Sequence, residues 1–83
     1  MLTVSVISPE RTLYEGQATA VVAPAYDGEV GILTDHAPMM TLLGRGTLRI
    51  DNGGAVQRFT VDGGFLQVVD NQVRVVTEHA AAA

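Results

Sequence analysis

The stretch QRFTVDGGFLQVVDNQVRVVT, residues 57–77, decides the fold. Phe59 and Val61 alternate with Arg58, Thr60 and Asp62, and Val73 and Val75 alternate around Arg74. Successive side chains on a strand point to opposite faces, so this spacing predicts half-buried strands with one wet face. Asp70-Asn71 separates the apolar runs 65–69 and 73–76 and predicts a tight hairpin. Asp62-Gly63-Gly64 precedes a strand and predicts a β-bulge or a tight turn.

The same grammar extends in both directions. Leu2, Val4 and Val6 alternate with Thr3 and Ser5, and Leu48 and Ile50 alternate with Thr47 and Arg49. Turn signals recur at Ser8-Pro9-Glu10, Glu15-Gly16, Pro24 to Gly28, Gly44 to Gly46 and Asp51-Asn52-Gly53-Gly54. Many short strands with regular turns predict an all-β fold, an antiparallel sandwich or barrel. Residues 17–23 lack clean alternation and read as covered on both faces. Residues 37–43, compatible with one helical turn, are assigned as a short strand. The tail from His79 to Ala83 is a helix-compatible alanine run, too short to hold a helix by itself. With no internal repeat and no linker, residues 1–83 read as one domain.

Composition excludes several function classes. Apolar residues make up 47% of the chain, enough for a core, but no run approaches the roughly 18 residues a membrane span requires. No basic segment followed by an apolar one marks a signal peptide. Without cysteine there is neither a disulfide scaffold nor a thiolate metal site. Nine acidic residues against five arginines give a net charge of −4, with no lysine. A basic stripe for phosphate backbones is absent, which argues against nucleic acid or an anionic membrane as partner. The acidic balance suits a basic partner surface and serves solubility equally well.

Chemistry is sought first at Asp35-His36. A carboxylate can orient an imidazole as a general base, yet neighbours on an extended chain point to opposite faces and no nucleophile motif accompanies them. A turn histidine bonding backbone or a partner fits better. His36 and His79 stand in no recognised metal-ligand spacing. Gly28-Glu29-Val30-Gly31 lacks the lysine and hydroxyl of a phosphate loop, and its glutamate would repel phosphate. No metal or cofactor is expected. Asp27-Gly28-Glu29 differs: two carboxylates flank a glycine between apolar segments, either a solvated turn or an acidic tip aimed at arginines or lysines.

Residues 27–33 (DGEVGIL), His36-Ala37-Pro38 with Thr41, and Gly46-Thr47-Leu48 together resemble the epsilon subunit of F-type ATP synthase. Val61-Asp62-Gly63-Gly64-Phe65-Leu66-Gln67-Val68, followed by Asn71, Val73 and Val75, is similar to a second signature of that family. The resemblance runs the whole chain. It implies a β-sandwich of about ten short strands at the foot of a rotating central stalk. It also implies a non-catalytic rotor subunit that joins gamma to the c-ring and couples proton or sodium flow to ATP synthesis. Carried over by position, Asp27, Gly28 and Glu29 face the c-ring, while Ser8, His36, Ala37, Pro38, Met39 and Thr41 face gamma. Met39 and Met40 suit such a surface because methionine adapts to irregular contacts, and both suit a core equally. The implied location is peripheral, on the cytoplasmic face of the bacterial inner membrane, with no direct insertion.

Two departures stand out. Thr34-Asp35 replaces the Pro-Gly of many relatives, and Gln67 stands where glutamate is common. The chain also ends just after Thr77-Glu78-His79, where many relatives begin a pair of inhibitory helices. The expectation is a polypeptide without that hairpin. Two rivals remain: a sandwich that binds carbohydrate or peptide, and a small hydrolase built on Asp35 and His36. Only Tyr14, Tyr26, Phe59 and Phe65 could furnish the aromatic platform of the first.

Overall fold

The computed structural model describes residues 1–83 as eight strands and no helix. In chain order these are β1 (Leu2–Ile7), β2 (Thr12–Ala18), β3 (Ala20–Ala25), β4 (Gly28–Leu33), β5 (Met39–Leu42), β6 (Arg45–Asn52), β7 (Ala55–Val69) and β8 (Gln72–Ala82). Hydrogen bonding runs in the order β2-β1-β8-β7-β6-β3-β4, with β5 also paired to β7.

The long hairpin β7–β8 passes through two layers. Its closed end pairs with β1 on one side and β5 on the other, so β2, β1, β8, β7 and β5 form the first layer. Its open end pairs with β6, which continues into β3 and β4 as the second. The layers face each other: the Tyr14 ring on β2 meets Phe59 on β7 edge-on at 6.5 Å, although the two strands share no ladder. Eight strands thus fill an architecture for which about ten short ones were expected, because two of them serve both layers.

Gly63-Gly64 is where β7 changes layer. Both residues have positive φ, 77° and 106°. Inward positions switch there from Phe59 and Val61 to Leu66 and Val68, a phase slip of one residue. The partner strand breaks at the same place. The Leu43 N–H donates to the Gly64 carbonyl at 2.9 Å and the Gly63 N–H to the Gly44 carbonyl at 3.3 Å, so β5 and β6 flank one bend.

Sixteen buried residues make one apolar cluster, with Leu2, Val4, Val21, Ile32, Leu48, Ile50, Leu66 and Val75 fully inaccessible. Thr77 is the buried polar side chain, and its hydroxyl donates to the His79 carbonyl at 2.9 Å. In a domain this small such a core leaves little reserve. Leu66→Ala is therefore expected to lower the unfolding free energy by about 2–5 kcal/mol, read from the midpoint of a urea titration.

Three expectations are corrected. Glu15-Gly16 lies within β2 and turns nothing; Glu15 pairs with Ser5 and Gly16 with Val4. The alanine tail is strand, since Ala80, Ala81 and Ala82 pair with Val61, Thr60 and Phe59. Alanine's helix preference amounts to fractions of a kcal/mol per residue, and an open neighbouring strand overrides it. β1 and β8 run parallel, the one such pair in a sheet otherwise antiparallel. The Asp70-Asn71 hairpin is as expected, with φ of 49° and 62°, the left-handed pair of a type I′ turn.

Candidate interaction surfaces

Tyr26 and Asp27 form the two-residue turn between β3 and β4, and Gly28 opens β4 with φ of 132°. Asp27, Gly28 and Glu29 are all exposed. The tip is tied down behind: the Tyr26 N–H donates to the Leu42 carbonyl at 3.0 Å and the Gly44 N–H to the Pro24 carbonyl at 2.8 Å. One carboxylate thus projects from a fixed turn and the other from the strand that leaves it.

The segment from His36 to Thr41 is divided by strand alternation. Met39 packs against the core cluster and Thr41 is half-buried, whereas Met40 and Leu42 point outward, each 63% exposed. Of the two methionines, Met40 presents itself to solvent. Ala37 and Pro38 are exposed and His36 is half-buried. The His36 ring Nδ1 donates to the Ala37 carbonyl at 2.7 Å, and the Asp35 carboxylate is engaged by Asn71. Asp35 and His36 therefore do not assemble into a dyad. Ser8 closes the β1–β2 loop: its hydroxyl donates to the Arg11 carbonyl at 3.1 Å and accepts the Arg11 N–H at 3.3 Å.

Ser8 and His36 do not lie side by side. Ser8 follows Ile7 at one end of the first layer, and His36 precedes Met39 at the other. Between them the register sets a row that sequence reading did not single out. Leu42 pairs with Phe65, Phe65 with Val76 and Val76 with Ile7, so four apolar side chains from four strands share the outer face. Runs such as Phe65-Leu66 and Val75-Val76, apolar at both phases, are the signal that could have found it. Beside the row lie Met40, Gln67, Arg74 and Ser5 at matched positions.

Elsewhere the surface offers little for chemistry. A shallow groove of about 310 Å³ opens beside Arg45, Asp62 and His79, successive partners across three strands. No group of three metal-ligating side chains converges. Tyr14 and Phe59 pack against each other and furnish no platform for a sugar.

The family model for the ATP synthase delta/epsilon chain β-sandwich domain matches residues 1–83. The chain belongs to that family. Relatives named ATP synthase epsilon chain include one from Leptospira borgpetersenii, 46% identical over 80 residues, covering 96% of this chain and 63% of that protein. Another, from Solibacter usitatus, is 44% identical over 82 residues, covering 99% and 61%. The chain thus spans just under two thirds of the length of these curated relatives. Among solved structures, a chain of the Euglena gracilis mitochondrial ATP synthase superposes with a TM-score of 0.90 at 23% identity, covering 98% of this chain and 52% of that one. A chain from the Tetrahymena thermophila mitochondrial ATP synthase central stalk and c-ring gives 0.82 at 17%, covering 96% and 65%. At those identities the superpositions establish the fold alone.

Proposed function

We infer that residues 1–83 act as one non-catalytic rotor unit of an F-type ATP synthase, joining gamma to the c-ring and so coupling ion flow to ATP synthesis. The observation that carries this reading is the pairing of two unlike surfaces on one stiff sandwich of the delta/epsilon family. One is the acidic tip at Asp27, Gly28 and Glu29; the other is the apolar outer face running from Leu42 to Ile7.

Torque transmission needs a part that deforms less than its joints, and a two-layered sheet with a single dry core meets that need. The tip faces basic c-ring loops, where exposed ion pairs contribute about 0–1 kcal/mol each and mainly set orientation. The outer face, bracketed by Ser8 at one end and His36, Ala37, Pro38, Met39 and Thr41 at the other, faces gamma. There full burial of a leucine or methionine side chain contributes about 1.5–3 kcal/mol. In this reading Met39 supports the surface from within, while Met40 makes contact. The unit sits peripherally on the cytoplasmic side of a bacterial inner membrane and is held there by its partners. The two structural neighbours come from ATP synthase assemblies that hold a c-ring and, in Tetrahymena, the central stalk, which supports a rotor position.

The test is charge reversal at the tip. Asp27→Arg with Glu29→Arg is expected to weaken retention on a reconstituted gamma–c-ring assembly at least about tenfold, because two attractions become repulsions. Affinity for isolated gamma should stay at the parental value. Equal retention of parent and variant on the c-ring would remove the tip from the interface.

A further inference from the structure

Three segments distant in sequence meet at Asn71. Its side-chain oxygen accepts the Asp35 backbone N–H at 2.6 Å, and its amide nitrogen donates to the Asp35 carboxylate at 3.1 Å. Its carbonyl accepts the Thr3 N–H at 2.8 Å. The β7–β8 hairpin, the β4–β5 loop and the start of β1 are therefore joined through one residue.

What the clasp holds is a strained loop. Asp35 has φ of 66°, a left-handed conformation that costs an L-residue energy unless its surroundings impose it. Aspartate tolerates that region better than most residues, and here its main chain and side chain are both bonded to the same partner. The next residue completes the turn, the His36 N–H donating to the Leu33 carbonyl at 3.1 Å. Beyond it the chain runs through Ala37 and Pro38 to Met39, where pairing with Val68 begins. The conformation at Asp35 thus sets how the segment leaves β4 and approaches β5.

We propose that Asn71 is the positioning residue of the docking segment 36–41, fixing its shape through the Asp35 clasp before gamma arrives. This deepens the reading above and rests on it for the identity of the partner. A segment held in its bound shape loses less freedom on docking, so the clasp raises affinity without touching gamma.

Asn71→Gly separates this role from hairpin closure. Asp-Gly is a preferred pair for a type I′ turn, so the variant keeps the hairpin and loses only the carboxamide. A purely structural Asn71 predicts parental behaviour. The clasp instead predicts that native-state hydrogen exchange of the His36 amide, which Asn71 does not itself touch, accelerates about fivefold or more while core amides are unchanged. Affinity for gamma should fall by about fivefold, the scale of one net hydrogen bond. Asp35→Asn, which preserves both the acceptor and the left-handed tolerance, should match the parent in both measurements. Unchanged His36 exchange in Asn71→Gly overturns the clasp. Accelerated exchange with undiminished gamma affinity leaves the clasp standing and overturns the docking role of 36–41.

Discussion

Gly64→Ala is expected to abolish cooperative folding, leaving no sigmoidal transition in thermal or urea unfolding followed by circular dichroism. A Cβ at this position would be driven into the Val76 carbonyl oxygen and lie 2.7 Å from the Thr77 Cα. Both obstacles are backbone of β8, held in register by pairs on either side, so neither can swing away. The φ of 106° adds a conformation that alanine does not populate. Relief requires β7 and β8 to separate where they change layer, which unpairs the hairpin that both layers share. The loss should exceed about 4 kcal/mol, beyond what most single substitutions cost and large against the total stability of a small domain. Gly63→Ala is the internal control. Its φ of 77° is also unfavourable, but the nearest atoms to an added Cβ are the Glu78 carboxyl carbon and oxygen at 3.6 Å, the free end of a flexible side chain. That variant should fold and lose about 1–2 kcal/mol. If Gly64→Ala unfolds within about 1 kcal/mol of the parent, the close approach of β7 to β8 is not what fixes the bend.

Gly64 also shows what could be read before the fold was known. The glycine pair of Asp62-Gly63-Gly64 marks an irregularity in the strand, whereas the change of inward phase from Phe59 and Val61 to Leu66 and Val68 is hidden, because Phe65 and Val69 are also apolar. The Asp70-Asn71 turn was legible for the same local reason: two residues that tolerate positive φ stand between apolar runs. Features set by distant partners were not legible. The parallel pairing of β1 with β8 joins the first and last strands, and nothing in Leu2–Ile7 specifies its direction. The alanine tail carries a helical preference that β7 overrules by offering a free ladder. The acidic tip could be found because charge and glycine are adjacent in sequence. The apolar row left only a partial trace, the runs Phe65-Leu66 and Val75-Val76 that are apolar at both phases, and its course is set only when the registers of β5, β7, β8 and β1 are combined. Met39 and Met40 were indistinguishable until pairing with Val68 and Gln67 set which one faces the core.

Leu42→Asp is expected to leave the fold intact and to remove measurable gamma binding. The side chain is 63% exposed, so the free protein loses little apolar burial and the new carboxylate remains solvated. Thermal unfolding should therefore stay close to the parent. In the complex the situation inverts. Leu42 ends the row that continues through Phe65 and Val76 to Ile7, and closing gamma over that row would strip water from the carboxylate without supplying a partner. An unpaired carboxylate in such a place costs several kcal/mol, to which the lost burial of leucine adds about 1.5–3 kcal/mol. Together these amount to at least about a hundredfold in Kd by calorimetry or surface capture. Met40→Asp, beside the row but paired with polar Gln67, should weaken binding less. The tip substitutions at Asp27 and Glu29 should not add to Leu42→Asp in gamma binding, because in the proposed arrangement they meet the c-ring instead. A folded Leu42→Asp variant that binds gamma as tightly as the parent would place the gamma contact elsewhere on the sandwich, and the outer face of the second layer, with Arg49 opposite Arg58, would be the surface to alter next.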